Sequence, residues 1–182
     1  MSSYIKAATL SLIFPFIFSS VQAQCVNNAT PSCAVYSTCF SKYCQCAGAD
    51  EYFIQYGKKY CESFLGRDDF SNAGVKWRDK TLRCLQEAIV PKLDISENPT
   101  CNCKEMRAFA FKSHIQCYLA DPSICSLPAA DMLRIIKTAN LVSVVTDEAS
   151  REQFKSVLST CLGSYTGEAL EAIQATLEAL SD

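Results

Sequence analysis

Histidine is scarce in this chain, which has only one, His114, among its 182 residues. A single histidine removes His-rich metal sites and most Ser-His-Asp or Cys-His arrangements. The sequence also lacks a G-x-S-x-G elbow, a Gly-rich phosphate loop and a D-x-D-x-D-G calcium loop. We therefore expect a protein that is not an enzyme and that uses no cofactor or metal. His114 itself is expected to be a hydrogen-bonded core residue, with a pH-responsive group as the alternative.

The chain also lacks a basic stripe and a second long apolar run. Its formal net charge is −2, and loss of Lys6 with the N-terminal segment described next makes the net charge about −3. A chain without clustered positive charge is a poor partner for nucleic acid. After Ala23 no apolar run is long enough to cross a bilayer, and the last five residues are neither an anchor tail nor an ER-retention signal. We expect no nucleic-acid partner and no transmembrane anchor.

Residues 1–23 have the pattern of a secretory signal peptide. Lys6 is their only charged residue, an apolar run follows from Ala7 to Phe18, and Val21-Gln22-Ala23 offers a small-residue cleavage site. We predict cleavage after Ala23 and secretion to the extracellular space. The remaining residues, 24–182, have the length of one domain.

All twelve cysteines follow the predicted cleavage site, and an even number in an oxidising compartment predicts up to six disulfide bridges. Four of them form two C-x-C pairs, for which a four-thiolate zinc site is the alternative. Structural zinc sites usually space their cysteines C-x2–4-C, so we expect bridges. The twelve are Cys25, Cys33, Cys39, Cys44, Cys46, Cys61, Cys84, Cys101, Cys103, Cys117, Cys125 and Cys161.

Apolar periodicity predicts an all-α fold. Residues 24–50 show no periodic apolar face and are expected to be irregular and held by their bridges, whereas residues 51–182 are expected to be helical. The fold class is therefore a disulfide-stapled helical bundle with an irregular, cysteine-rich N-terminal segment. The predicted helices cover Glu51–Leu65, Ser71–Val90 and Asn102–Leu119, and further helices begin near Pro128, at Thr146 and after Ser164.

Cysteines on inward helix faces predict staples between helices. Cys84 and Cys117 lie near the C-terminal ends of two consecutive predicted helices. A simple antiparallel hairpin would place them at opposite ends, so a direct bridge requires a more splayed pair of helices. Geometry alone leaves this pairing open.

An ordered set of short motifs runs from Tyr60 to about Leu177, roughly two-thirds of the chain. In order they are Tyr60-Cys61-Glu62-Ser63-Phe64-Leu65, a Phe70…Gly74 stretch leading into Thr81-Leu82-Arg83-Cys84, Cys103 with Met106, Cys117-Tyr118 followed by Cys125, and Cys161 at the end of its helix. Together these residues resemble the stanniocalcin family of secreted glycoprotein hormones. The resemblance implies an extracellular hormone with a role in calcium or phosphate regulation.

The resemblance also implies a bridge pattern. It implies the pairs Cys84–Cys117 and Cys125–Cys161 and, more loosely, Cys33–Cys61 and Cys25–Cys39. One of Cys44 and Cys46 is expected to pair with Cys103, and the other with Cys101. Which of the two takes which partner stays open.

The family's intersubunit cysteine has no counterpart after Cys161. A covalent dimer of that kind is therefore not expected. An apolar stripe with a/d spacing could replace it as a noncovalent homodimer seam, although we favour packing against the chain's own bundle. The stripe consists of Leu170, Ile173, Leu177 and Leu180.

One N-glycosylation sequon is present, Asn28-Ala29-Thr30, and we predict a glycan on Asn28. The similar Asn98-Pro99-Thr100 is blocked by its proline.

The sequence thus predicts a secreted, stanniocalcin-like hormone or signalling factor that binds a receptor or another secreted protein. The alternative, from a different class, is a helical carrier of a small apolar ligand such as a lipid or sterol. The side chains expected to line the carrier's pocket are Phe109, Phe111, Met132, Ile135 and Ile136.

Overall fold

A computed structural model describes Cys25, residues 31–140 and residues 144–181. The predicted signal peptide and Asn28 lie outside the described residues. The described part forms seven helices joined by turns and contains no strand, which confirms the predicted all-α fold. In chain order the helices are α1 (Tyr36–Phe40 continuing as Ser41–Tyr43), α2 (Phe53–Lys58 continuing as Lys59–Leu65), α3 (Asn72–Ile89), α4 (Cys103–Leu119), α5 (Ala129–Thr138), α6 (Glu148–Cys161) and α7 (Gly167–Ala179).

Three of these helices begin where a polar side chain caps the first turn. Ser71, Asn102 and Asp147 each accept a hydrogen bond from the backbone N–H three residues later, at 3.2, 3.2 and 2.8 Å. Each cap satisfies one of the N–H groups that a helix start leaves without an intrahelical partner. The starts of α3, α4 and α6 consequently lie within two residues of the predicted positions.

The helices pack around one apolar core. Helix α4 contacts both α3 and α6, α7 contacts α5 and α6, and α2 contacts α1, α3 and α5. The inner face of α3 is buried through Trp77, Leu85 and Ile89. No helix of the described residues has the length and apolar character required to cross a bilayer.

The stripe on α7 belongs to this core. Ile173 and Leu180 are buried, and the partly buried Leu170 and Leu177 pack against the same core. The chain's own helices therefore bury Ile173 and Leu180 and partly cover Leu170 and Leu177. The noncovalent homodimer seam stays a prediction.

The N-terminal segment differs from its prediction in one respect. Residues 24–50 were expected to be irregular, but α1 forms two helical turns in the middle of this segment. Tyr36, Cys39 and Phe40 recur at steps of three and four and are buried, and the Phe40 ring lies 5.4 Å from that of Phe53. This apolar face is too short for a periodicity argument, and its packing against α2 makes the segment helical.

Candidate functional site

Two neighbouring disulfides join the N-terminal segment to the start of α4. Cys44 pairs with Cys101 and Cys46 with Cys103, with Cα–Cα distances of 5.1 and 5.7 Å. The sequence left this choice open. We call Cys44–Cys101 and Cys46–Cys103 the paired bridges.

The other four bridges are the pairs that the resemblance implied: Cys25–Cys39, Cys33–Cys61, Cys84–Cys117 and Cys125–Cys161. The Cα atoms of Cys84 and Cys117 are 5.6 Å apart. A 13-residue connection, residues 90–102, separates α3 from α4. This connection is longer than the short loop of a simple helical hairpin.

Within that connection, residues 93–102 form a loop organised by one carboxylate. Asp94 accepts hydrogen bonds from the backbone N–H of Ser96 at 3.1 Å and of Thr100 at 2.8 Å, and from the Thr100 hydroxyl at 3.0 Å. These bonds, led by the Thr100 N–H, lower the pKa of Asp94 from 3.8 to about 2. At neutral pH the carboxylate is therefore ionised and the loop is fastened at both ends, by Asp94 and by Cys101.

A surface groove of about 520 Å³ lies between this loop and the N-terminal segment. Ile95 is 37% exposed at the groove and, with Ile54, is one of two exposed large apolar side chains among the described residues. Lys42 and Glu97 put one charge of each sign on the groove wall. The complete lining is Lys42, Tyr43, Gln45, Ile95, Ser96, Glu97 and Pro99.

Sequence reasoning did not find this groove. The available signal was the Asp94, Ser96 and Thr100 pattern, since Asp and Ser side chains in this arrangement are typical of a hydrogen-bonded turn. The exposure of Ile95 depends on how the loop folds, and the sequence does not predict it.

A second feature is a buried cluster of contacting rings, which we call the tyrosine cluster; its members are Tyr52, Tyr56, Tyr60, Phe111, His114 and Tyr118. It encloses a cavity of about 30 Å³, and the hydroxyl of Tyr60 is buried there without a hydrogen-bond partner. This volume admits a water molecule or two but no lipid. The polar side chains that line the cavity are Tyr36, Tyr52, Tyr56, Tyr60, His114, Tyr118 and Gln153.

None of the five side chains expected to line a carrier pocket borders this cavity. Met132 and Ile135 are fully buried in the core, and the Phe111 ring stacks within the tyrosine cluster. Phe109 is partly buried at the edge of the core, and the Lys92 ammonium lies 4.9 Å from its ring centre. The described structure therefore does not gather these residues around one apolar pocket.

His114 lies inside the tyrosine cluster, as the sequence predicted for a core histidine. Its Nδ1–H donates to the Ala110 carbonyl at 2.7 Å, and Nε2 accepts from the Tyr52 hydroxyl at 3.4 Å. Burial lowers the pKa of His114 from 6.5 to about 4, because the low-dielectric surroundings disfavour the imidazolium. Burial also raises the pKa of Tyr52 and Tyr118, so both phenols stay neutral beside it.

This burial makes stability depend on pH. Below pH 6.5 His114 is protonated in the unfolded chain, whereas in the folded protein it stays neutral until the pH falls to about 4. The free energy of unfolding should fall by about 2 kcal/mol between pH 7.5 and pH 5 from this residue. Denaturant unfolding at both pH values measures the loss, and His114→Phe, which cannot titrate, should remove most of it. An equal loss in the variant would assign the pH dependence to other groups.

The fold and these sites define a class of protein: an all-α protein with six bridges and a surface groove beside two of them. Comparison of the chain with protein-family models, with curated proteins and with solved structures finds no match.

Proposed function

We propose that the chain is a secreted, stanniocalcin-like hormone or signalling factor that recognises a receptor or another secreted protein. The observation that carries the proposal is Ile95, an apolar side chain exposed at a groove whose two sides are fixed by the paired bridges. Side chains held in a rigid frame lose little conformational freedom on binding. Apolar anchors surrounded by polar groups are typical centres of protein interfaces.

The disulfides support the extracellular part of the proposal. All twelve cysteines, each of them described, are paired, and dense bridging fits an oxidising compartment. Four of the six pairs coincide with those that the stanniocalcin resemblance implied, which favours a shared framework. By the same resemblance we propose calcium or phosphate regulation as the physiological role.

Binding to the surface of ion-transporting epithelial cells tests this function. Fluorescently labelled secreted protein should bind saturably, and unlabelled protein should compete. Ile95→Glu should compete at least about tenfold more weakly, because a charge would have to be buried where Ile95 provides apolar contact.

Ile54→Glu is the matched control. Ile54 is 41% exposed, similar to Ile95, but it does not line the groove. The Ile54→Glu variant should compete as well as the unsubstituted protein. Unsaturable binding, or equal competition by both variants, would contradict recognition through the groove.

A further inference from the structure

The four sulfur atoms of the paired bridges form a compact cluster. All four lie within 4.8 Å of one another, and the Sγ atoms of Cys44 and Cys46, which belong to different bridges, are 3.6 Å apart. In a tetrahedral zinc site with Zn–S bonds of about 2.3 Å, neighbouring sulfurs are about 3.8 Å apart. Although C-x-C spacing is unusual for zinc sites, the fold brings these four sulfurs close enough for one ion to contact all of them.

One of the paired bridges is also the most accessible of the six. Cys46–Cys103 is the bridge in which both cysteines are partly exposed, whereas each of the other five contains a buried cysteine. Disulfides exchange when a thiolate reaches one of their sulfurs, so accessibility favours attack at Cys46–Cys103.

Opening this bridge brings the second within reach. A dithiol that attacks Cys103 Sγ releases the Cys46 thiolate, which lies beside Cys44 Sγ. Attack by Cys46 at Cys44 Sγ forms a Cys44–Cys46 disulfide and releases the Cys101 thiolate, and a second equivalent of dithiol reduces the disulfide that remains. Opening of the first bridge is therefore expected to make the second exchangeable.

We propose that these four cysteines, once an external dithiol has reduced both bridges, bind one Zn²⁺ ion through four thiolates. Each bridge takes up two electrons and two protons and becomes two thiols, while one dithiol becomes a disulfide. Zinc then displaces the four thiol protons and forms four Zn–S bonds. Zn²⁺ suits this site because soft thiolate ligands in a tetrahedral set favour it.

The surrounding fold keeps the four cysteines close after reduction. The turn Gly48–Asp50, just after Cys46, packs against α4, which begins at Cys103. On the other side, the N-terminal segment remains joined to α2 by the Cys33–Cys61 bridge and by the contact between Phe40 and Phe53. Reduction of the paired bridges therefore leaves both C-x-C segments attached to the same core.

The experiment uses the secreted full chain and limited amounts of a trialkylphosphine. The phosphine reduces each bridge to two thiols and becomes a phosphine oxide, with its oxygen taken from water. Differential alkylation and mass spectrometry should show that the paired bridges open before the other four. Zn²⁺ should then bind at one ion per chain and protect these four cysteines from alkylation. Co²⁺ in its place should give the absorption bands of a tetrahedral thiolate complex.

Two variants sharpen the result. Cys46→Ser/Cys103→Ser should lower zinc affinity more than about 100-fold, because it removes two of the four ligands and even the loss of a group that only supports a ligand costs up to about 100-fold. Cys25→Ser/Cys39→Ser removes one bridge but keeps the cluster, and its affinity should be unchanged. If a variant fails to fold, the order of bridge opening and the protection by zinc in the unsubstituted protein still test the proposal. Earlier opening of another bridge, or no bound ion when the four thiols are free, would overturn the proposal.

Discussion

Replacing Asp131 with alanine should lower the free energy of unfolding by about 2–3 kcal/mol, the upper range for hydrogen bonds to a charged group whose donors lose their acceptor. Asp131 lies in the first turn of α5 and is fully buried. Its carboxylate accepts hydrogen bonds from the Ser71 N–H at 3.0 Å and from Arg134 Nη1 at 2.9 Å, and also from the Ser71 hydroxyl. Because Ser71 caps α3, one carboxylate joins the starts of two helices.

The controls for Asp131 separate burial from charge. Asp68→Ala removes an exposed aspartate and should change stability by less than about 0.5 kcal/mol. Asp131→Asn keeps the size and part of the hydrogen bonding, so its effect should fall between the two alanine variants. Urea unfolding monitored by circular dichroism gives all three values. A loss below about 1 kcal/mol for Asp131→Ala would show that the Ser71 contact carries little stability.

Removal of the Cys125–Cys161 bridge by a double alanine substitution should have a larger effect, about 4 kcal/mol. The bridge closes a segment of 36 residues, and the entropy that it removes from the unfolded chain grows with that length. Cys161 is fully buried at the end of α6, so the bridge also ties the turn Ile124–Ser126 to the core. Tyr165 supports the same turn by donating its hydroxyl to the Ile124 and Leu127 carbonyls.

The matched comparison is Cys46→Ala/Cys103→Ala. With Cys44–Cys101 in place, the second of the paired bridges closes a ring of only about six residues, which corresponds to about 2 kcal/mol. Thermal or denaturant unfolding of the two double variants should therefore show that loss of Cys125–Cys161 is the more damaging. Equal losses would contradict the loop-length explanation.

Local sequence signals predicted the helices well. Ser71 and Asn102 stand at the predicted helix starts, where their side chains accept backbone N–H groups, and this chemistry can be recognised without a structure. The start predicted at Thr146 is displaced by one residue, because Asp147 provides the cap of α6. Trp77, Leu85 and Ile89 recur at multiples of four residues, and this spacing likewise indicates the inner face of α3 from the sequence.

Local signals of this kind do not predict contacts between segments that are distant in the sequence. Four cysteines in two C-x-C pairs permit several pairings, and only the tertiary path of the chain selects Cys44–Cys101 over Cys44–Cys103. Asp131 resembles an ordinary acidic residue in a first helical turn, because its partner Ser71 is 60 residues away. The same reason explains why the groove at Ile95 was not predicted.

A disulfide map of the secreted protein, obtained by nonreducing proteolysis and mass spectrometry, tests the bridge-fixed framework most directly. We expect six bridges and no free thiol, with Cys84–Cys117 and Cys125–Cys161 among them and the paired bridges as described. Different partners for Cys84, Cys117, Cys125 and Cys161 would contradict the stanniocalcin-like framework. A free thiol within the C-x-C pairs would contradict the rigid groove on which the proposed recognition rests.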